Sequence, residues 1–358
     1  MSMLGLEPKA ARYTWTAALV LLALELVYLL RSTLFVFTLA LLFAYLLSPL
    51  VNLLDRALPM KRTRTLALAL AYMIFIGIAA LVVTQVGVKV VAQAQAASKK
   101  LPDMMAKWEE PSPGTPENVN TVKARVVQTI RTELYKRTSD ILNALPGASL
   151  KFLEALSDVI YVVIVPVLAF FFLKDGELIR AHLLSVVDAG PLRAMADSLL
   201  EDIHLLLAHY MRALVLLSVN TFVFYSVAFT LMGMPFAILL AVMGMCLEFI
   251  PMIGPLTAAV AILIVAAVSG APVLTVLIFL VAYRMLQDYL VSPHLMGQGV
   301  ELHPLLVLFG VFGGAEVAGI PGSFLSVPVL ALARILYLRM RRARLGQPST
   351  APLVSPVR

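Results

Sequence analysis

Residues 34–54 read LFVFTLALLFAYLLSPLVNLL, a run without a single charged side chain. As a helix rising ~1.5 Å per residue, a run of this length reaches across the ~30 Å hydrocarbon layer of a bilayer. In lipid such a segment must pair all of its backbone groups internally, and a helix does so. Comparable runs occur at about residues 15–30, 66–91, 152–173, 214–232, 236–251, 256–268 and 273–291. The expected fold is therefore all-α: a polytopic bundle of about eight transmembrane helices. Residues 305–337 are apolar too, but Gly313, Gly314, Gly319, Pro321 and Gly322 interrupt them. That segment is either two short spans or a broken helical hairpin, and both return the chain to the same side.

Composition agrees. Of 358 residues, 61% are hydrophobic and 14% charged, with mean hydropathy +0.92, whereas soluble domains run ~45–50% apolar and ~25% charged. The net charge of +7 is not gathered into a patch for nucleic acid. It lies in short loops and tails beside apolar runs, where it sets topology and meets anionic lipid head groups. Lys9 and Arg12 precede the first run, Arg56, Lys61, Arg62 and Arg64 follow the second, and Arg339, Arg341, Arg342 and Arg344 close the last. An even number of crossings puts all three clusters on one side, so both termini are expected in the cytoplasm. The first run contains Glu25 and lacks a small-x-small cleavage site; it is read as a span rather than a secretory signal. The lone cysteine, Cys246, excludes a disulfide framework.

The chain divides into membrane spans over 1–91, a polar extracytoplasmic insertion over 92–151, further spans over 152–338 and a basic tail over 339–358. The insertion turns at Pro111, Pro113, Gly114 and Pro116, and Val119, Val122, Val126, Val127, Ile130 and Leu134 then follow a helical period. Within the second membrane region, residues 174–211 form a cytoplasmic amphipathic segment, with Ile203, Leu206, Leu207 and Tyr210 among polar neighbours. His204 and His209 are five apart, off a common helix face, so no metal site is expected there.

Patterns for nucleotide hydrolysis, dinucleotide binding and zinc proteolysis are missing from the sequence, and neither enzymatic activity, a cofactor nor a metal is expected. The informative residues are acids and bases at membrane depth: Glu25, Glu248, Arg284, Asp288 and Glu316. A charge at the bilayer centre costs at least ~2.5–3.5 kcal/mol, so these side chains are expected to face protein or a wet cavity. Pro251, Gly254 and Pro255 follow Glu248 and force the helix to break or end. Freed carbonyls together with the carboxylate suit a cation, a proton or solute hydroxyls. Arg284 and Asp288, four apart, either pair with one another or serve a solute. His303-Pro304 is either a gate or a helix start, and the Gly310–Gly314 spacing signals close helix packing.

The run Glu248-Phe-Ile-Pro-Met-Ile-Gly-Pro255 resembles the E-x-I-P-x-I-G-P signature of the autoinducer-2 exporter family. Asp288-Tyr-Leu-Val-Ser-Pro293-His-Leu-Met-Gly297, Leu302-His-Pro304, Gly313-Gly314, Gly319-Ile-Pro-Gly322 and Val327-Pro328 resemble the rest of its C-terminal pattern. Leu173-Lys-Asp-Gly176 and Ser48-Pro49 fit more loosely. The resemblance implies a multi-pass transporter of the bacterial inner membrane with an extracytoplasmic insertion. Members are linked to export of autoinducer-2 and, in some cases, to sodium or lithium exchange for protons. Ala213 and Glu316 depart from the family's usual pattern. The candidate pathway comprises Glu248, Pro251, Gly254, Pro255, Arg284, Asp288, Pro293, Gly297, His303, Pro304 and Glu316. Three functions stay open: a carrier for a small polar solute, a monovalent cation/proton antiporter, and an envelope scaffold built on the insertion. The expected partners are the bilayer, the transported solute or cation and, from the small-residue surfaces, a second copy of the chain.

Overall fold

A computed structural model of the chain describes residues 8–57, 64–109, 128, 156–291, 302–345 and 353. Among these residues the fold is a bundle of helices without strands. In chain order they are α1 (Pro8–Leu29), α2 (Arg31–Ala57), α3 (Arg64–Val82), α4 (Val88–Glu109), α5 (Leu156–Ser185), α6 (Pro191–Leu231), α7 (Ala237–Leu247), α8 (Ile253–Ser269), α9 (Val273–Leu286) and α10 (Pro304–Arg344). Six of the described helical stretches are long and apolar enough to cross a membrane unaided, and α7 and α8 are shorter apolar helices.

Several boundaries differ from the sequence expectation. A π-helical turn, Val83–Gly87, joins α3 to α4 without a break, so the helix that was to end near residue 91 continues to Glu109. At 1.5 Å per residue the 45-residue stretch from Arg64 to Trp108 is about 67 Å long, more than twice the hydrocarbon thickness. Its polar second half docks back onto the bundle. Met105 and Trp108 pack with Val268 and Ile264 of α8, and Gln93 Oε1 accepts the Leu239 N–H at 2.9 Å, serving an orphan donor in the first turn of α7. The periodic valines from Val119 to Leu134 lie outside the described residues.

The amphipathic segment expected over 174–211 is not a separate helix either. Its first part continues α5 to Ser185, and its second part is the start of the 41-residue α6. Ala213, the departure from the family pattern, is fully buried where no larger side chain would fit without repacking. The expected complete spans at 236–251 and 256–268 become helices of 11 and 17 residues, about 16 and 25 Å long. α7 alone is therefore too short to cross the hydrocarbon.

The interrupted C-terminal segment is a helical hairpin. Ala318 (φ −142°) and Gly319 (φ 64°, ψ −146°) break the helical path, and Gly319 adopts a left-handed conformation that costs a residue with a Cβ. The arms touch at Gly314 and Gly322, where a Cβ on either would fall on the other's carbonyl oxygen, and Ser323 Oγ donates to Val311 O at 3.2 Å. Gly310 likewise faces Leu330 and Ser326. This close packing is what the Gly310–Gly314 spacing foretold.

The arms of the bundle meet through small residues. Ala67, Ala71 and Ala169 are fully buried between α2, α3 and α5, and Ala241 and Ala266 do the same between α6, α7, α8 and α9. A third cluster joins α2 (Leu42), α6 (Leu207, Tyr210, Met211, Leu214) and α10 (Phe324). Near it lies a fully buried ion pair. Arg339 of α10 meets Asp202 of α6 through Nε at 3.2 Å and through Nη2, and its Nη1 donates to Ser198 Oγ at 2.5 Å. Arg339, read from sequence as the first residue of a basic tail, is thus an internal tie.

Two outcomes test this packing by thermal unfolding in detergent. Gly322→Val should destabilise by about 1–3 kcal/mol through overpacking, while Gly313→Ala, where an added Cβ meets nothing within 4 Å, should stay within about 0.5 kcal/mol. Arg339→Leu should cost about 3–5 kcal/mol because the buried Asp202 loses its counter-charge, and replacing both partners by apolar residues should recover most of that loss.

Candidate solute-pathway site

The site is assembled from three helices at the end of α7. Phe236 (φ 58°) starts α7, which runs 11 residues to Leu247, so Glu248 caps its C-terminal end. The chain then reverses through Pro251-Met252-Ile253. The Ile253 N–H donates to Pro251 O at 2.7 Å and Met252 sits at φ 63°, ψ −51°, which is the rare, strained form of the γ-turn. Gly254 completes the corner: a Cβ there would sit on the Leu247 carbonyl oxygen. Pro255 follows in the first turn of α8, where a missing N–H leaves no helical acceptor unused.

Glu248 is 9% exposed and is held by neighbours from other helices. Gln287 Nε2 donates to Oε1 at 2.7 Å and Thr221 Oγ1 donates to Oε2 at 3.2 Å. The Thr221 hydroxyl lies 2.8 Å from Tyr283 Oη, which in turn accepts from Asn220 Nδ2 at 3.2 Å. Because Thr221 donates to the carboxylate, it accepts from Tyr283. The chain Asn220 to Tyr283 to Thr221 to Glu248 is then polarised toward the acid, an arrangement in which each bond strengthens the next.

Arg284 ties the site to a second acid. Its Nε donates to Asp288 Oδ2 at 2.8 Å, the pairing expected from their spacing, and its Nη1 lies 3.6 Å from Glu248 Oε1. That Nη1 is buried and makes no hydrogen bond among the described residues. The formal count is two acids to one guanidinium. Gln287 and Asp288 belong to a π-helical turn, Gln287–Val291, of the kind that often marks functional positions. The arrangement can accept a proton, hold a monovalent cation, or satisfy solute hydroxyls in place of its own donors.

The other expected residues fall elsewhere. Pro293 and Gly297 lie outside the described residues. His303 caps α10, its Nδ1 accepting the Leu305 N–H at 3.3 Å with Pro304 at the first helical position, so this pair acts as a helix start. Glu316 is exposed on the first arm of the α10 hairpin and takes no part in the Glu248 network. The sequence reading missed Asn220, Thr221, Tyr283 and Gln287. Their signal was present as neutral polar side chains inside otherwise apolar runs. Phe249, next to Glu248, abuts Phe324 of α10 with ring centroids 5.9 Å apart.

On the basic side of the bundle a second polar group forms. Arg180 pairs with Asp197 and Glu201 at 2.7 Å each, and the bond to Asp197 is the main reason its guanidinium stays above the ordinary arginine value. Tyr45 Oη lies 3.1 Å from His204 Nδ1. These contacts join α2, α5 and α6 nearer the start of α6 than the Glu248 site.

Residues 17–342 match the family model described as AI-2E family transporter. The chain belongs to this family. Relatives span most of its length. A Bacillus subtilis protein named "Putative transport protein YueF" is 26% identical over 310 residues, 83% of this chain and 81% of its own. A Mycobacterium tuberculosis protein named "Putative transport protein MT0215" is 28% identical over 340 residues, 92% of this chain and 90% of its own. The AI-2E chain described here is accordingly a multi-pass membrane transporter.

A double-mutant cycle tests the hydrogen-bond chain. Thr221→Val and Tyr283→Phe should couple by about 0.5–3 kcal/mol in thermal stability because they share one bond. Additive effects would separate the two hydroxyls.

Proposed function

We propose that this AI-2E protein is a secondary carrier or facilitator that passes a small polar solute across the bacterial inner membrane by way of Glu248 and Asp288. An autoinducer-2-like signal, small and rich in hydroxyls, is the solute class that the family suggests. The observation that carries the reading is Glu248 itself: a carboxylate at the end of a helix too short to cross, next to a strained turn and held by three side chains from other helices. A purely structural bundle gains nothing from retaining such a group in lipid. Strained backbone beside a buried charge is a feature of sites that work. Both termini are assigned to the cytoplasm. The Arg64, Arg180 and Arg339 contacts, which draw the second and third basic clusters toward the 174–211 segment, support that orientation.

A second reading rests on the surplus negative charge of Glu248, Arg284 and Asp288. Exchange of sodium or lithium for protons needs groups that titrate, and this trio offers two acids for one base.

The test is flux through purified protein in proteoliposomes. Glu248→Gln should lower solute flux about ten-fold or more, the equivalent of roughly 1.5 kcal/mol for a weakened charge-assisted bond, at unchanged protein content. Asp288→Asn should lower it as well. Unaltered flux in both variants would remove the two acids from the pathway. A pH-sensitive dye in the vesicle lumen separates the readings: a proton signal on adding sodium or lithium supports exchange, and its absence supports the solute carrier.

A further inference from the structure

Beyond Val91 the α4 helix changes character. Its exposed side carries Gln95, Lys99, Lys100, Asp103 and Lys107, while Leu101, Met104, Met105 and Trp108 form one stripe at i, i+3, i+4 and i+7. That stripe packs on Ile264 and Val268 of α8. α8 is an apolar helix whose outward side leaves Leu256 66% and Val260 50% exposed, and in a multi-pass membrane protein such a side meets lipid. Where the polar helix crosses the apolar one, a groove of about 240 Å³ lies between Trp108 and the α8 residues Val260, Leu263, Ile264, Ala267 and Val268. Apart from the indole, its lining is hydrocarbon. Water finds no partners in such a space, and an apolar cavity of even ~150 Å³ stays dry and admits an apolar guest.

Two lysines stand beside the groove. Lys107 adjoins Trp108, and Lys100, seven residues earlier, lies within about 20° of Lys107 around the helix axis, on the same flank of the stripe. Asp103 lies further round, on the side away from α8. Neither lysine forms an ion pair among the described residues. A dry slot roofed by a tryptophan and flanked by cations suits a phospholipid at the edge of the bilayer. Tryptophan favours that level, lysine lays its stem on apolar surface while keeping its head in water, and basic residues there attract anionic headgroups. From this juxtaposition we infer that the groove between α4 and α8 binds an anionic phospholipid, with an acyl chain along residues 260–268 beneath Trp108 and the phosphate on Lys100 and Lys107. The lipid completes a seam that the protein closes with few side chains of its own, and so holds the α4 extension against α8.

The test reads lipid contact and no transport, so its outcome is independent of the carrier function proposed above. Trp15→Phe leaves Trp108 as the only tryptophan of the full-length chain. Its fluorescence is followed in phosphatidylcholine vesicles in which a growing share of the lipid carries brominated acyl chains, which quench an indole on contact. Brominated phosphatidylglycerol should quench with an apparent affinity at least about five-fold above that of brominated phosphatidylcholine, the gain from one engaged lysine. Equal quenching by the two would overturn the inference, because unselective lipid contact gives that result. Absence of quenching by both would overturn it as well, since something other than lipid then fills the groove. Lys100→Gln combined with Lys107→Gln should bring the two lipids within about two-fold of each other, and a preference that survives refutes the headgroup assignment. Ala267→Leu occupies the groove while leaving both lysines in place. It should remove about half or more of the quenching by either lipid, whereas unchanged quenching puts the acyl chain elsewhere and sinks the site.

Discussion

A carboxylate buried among apolar helices has to be satisfied by its protein neighbours, and the half of this molecule around α6 to α9 is organised by that demand. Glu248 recruits Gln287 from the π-turn after α9, Thr221 from the middle of α6 and, at longer range, the guanidinium of Arg284. Each partner is served in turn. Thr221 draws on Tyr283 and Tyr283 on Asn220. Gly244 makes the convergence sterically feasible, since a Cβ there would lie 2.8 Å from the Tyr225 ring that packs against Tyr283. The short α7 and the γ-turn at Met252 follow from the same demand, because a continuous helix through residues 248–254 would leave no open carbonyls and no corner beside the acid.

The second buried charge obeys the same rule in a different way. Asp202 and Arg339 satisfy one another and are shielded by Ser198. On α6, Asp202 and Thr221 are 19 residues apart, or about 28 Å along the axis. One helix therefore bears a closed, neutral ion pair near its start and a polar network with unbalanced charge near its middle. A closed pair does not invite a ligand. The open one retains an unfilled donor on Arg284 and one surplus negative charge, and that difference makes it the candidate for transport.

Much of this was legible in the sequence. Uncharged runs identified the helices, the i,i+4 spacing of Arg284 and Asp288 offered their bond as one of two readings, the Pro/Gly pattern after Glu248 marked the break, and the glycines and proline over 313–322 left a broken hairpin beside two short spans. What the sequence withheld was partnership between helices. Thr221 and Gln287 lie 27 and 39 residues from Glu248, and periodicity says which face of a helix is apolar but not which neighbour meets it. Arg339 was misread for the same reason: four arginines in six residues look like a topology signal, and only the facing Asp202 distinguishes the one that is buried. Helix ends were blurred because hydropathy records where lipid stops and not where the helix does, so α4 and α5 continue well beyond their apolar portions.

The charge count narrows what the site can do. With Glu248 and Asp288 ionised and Arg284 protonated, a net negative charge sits in a medium that penalises it, and the two neutral donors on Glu248 offset that penalty only in part. A proton on one acid, a monovalent cation between the two, or a solute whose hydroxyls bridge Glu248 and the Nη1 of Arg284 would each ease that penalty, and these are the occupants that the proposed carrier and antiporter readings require.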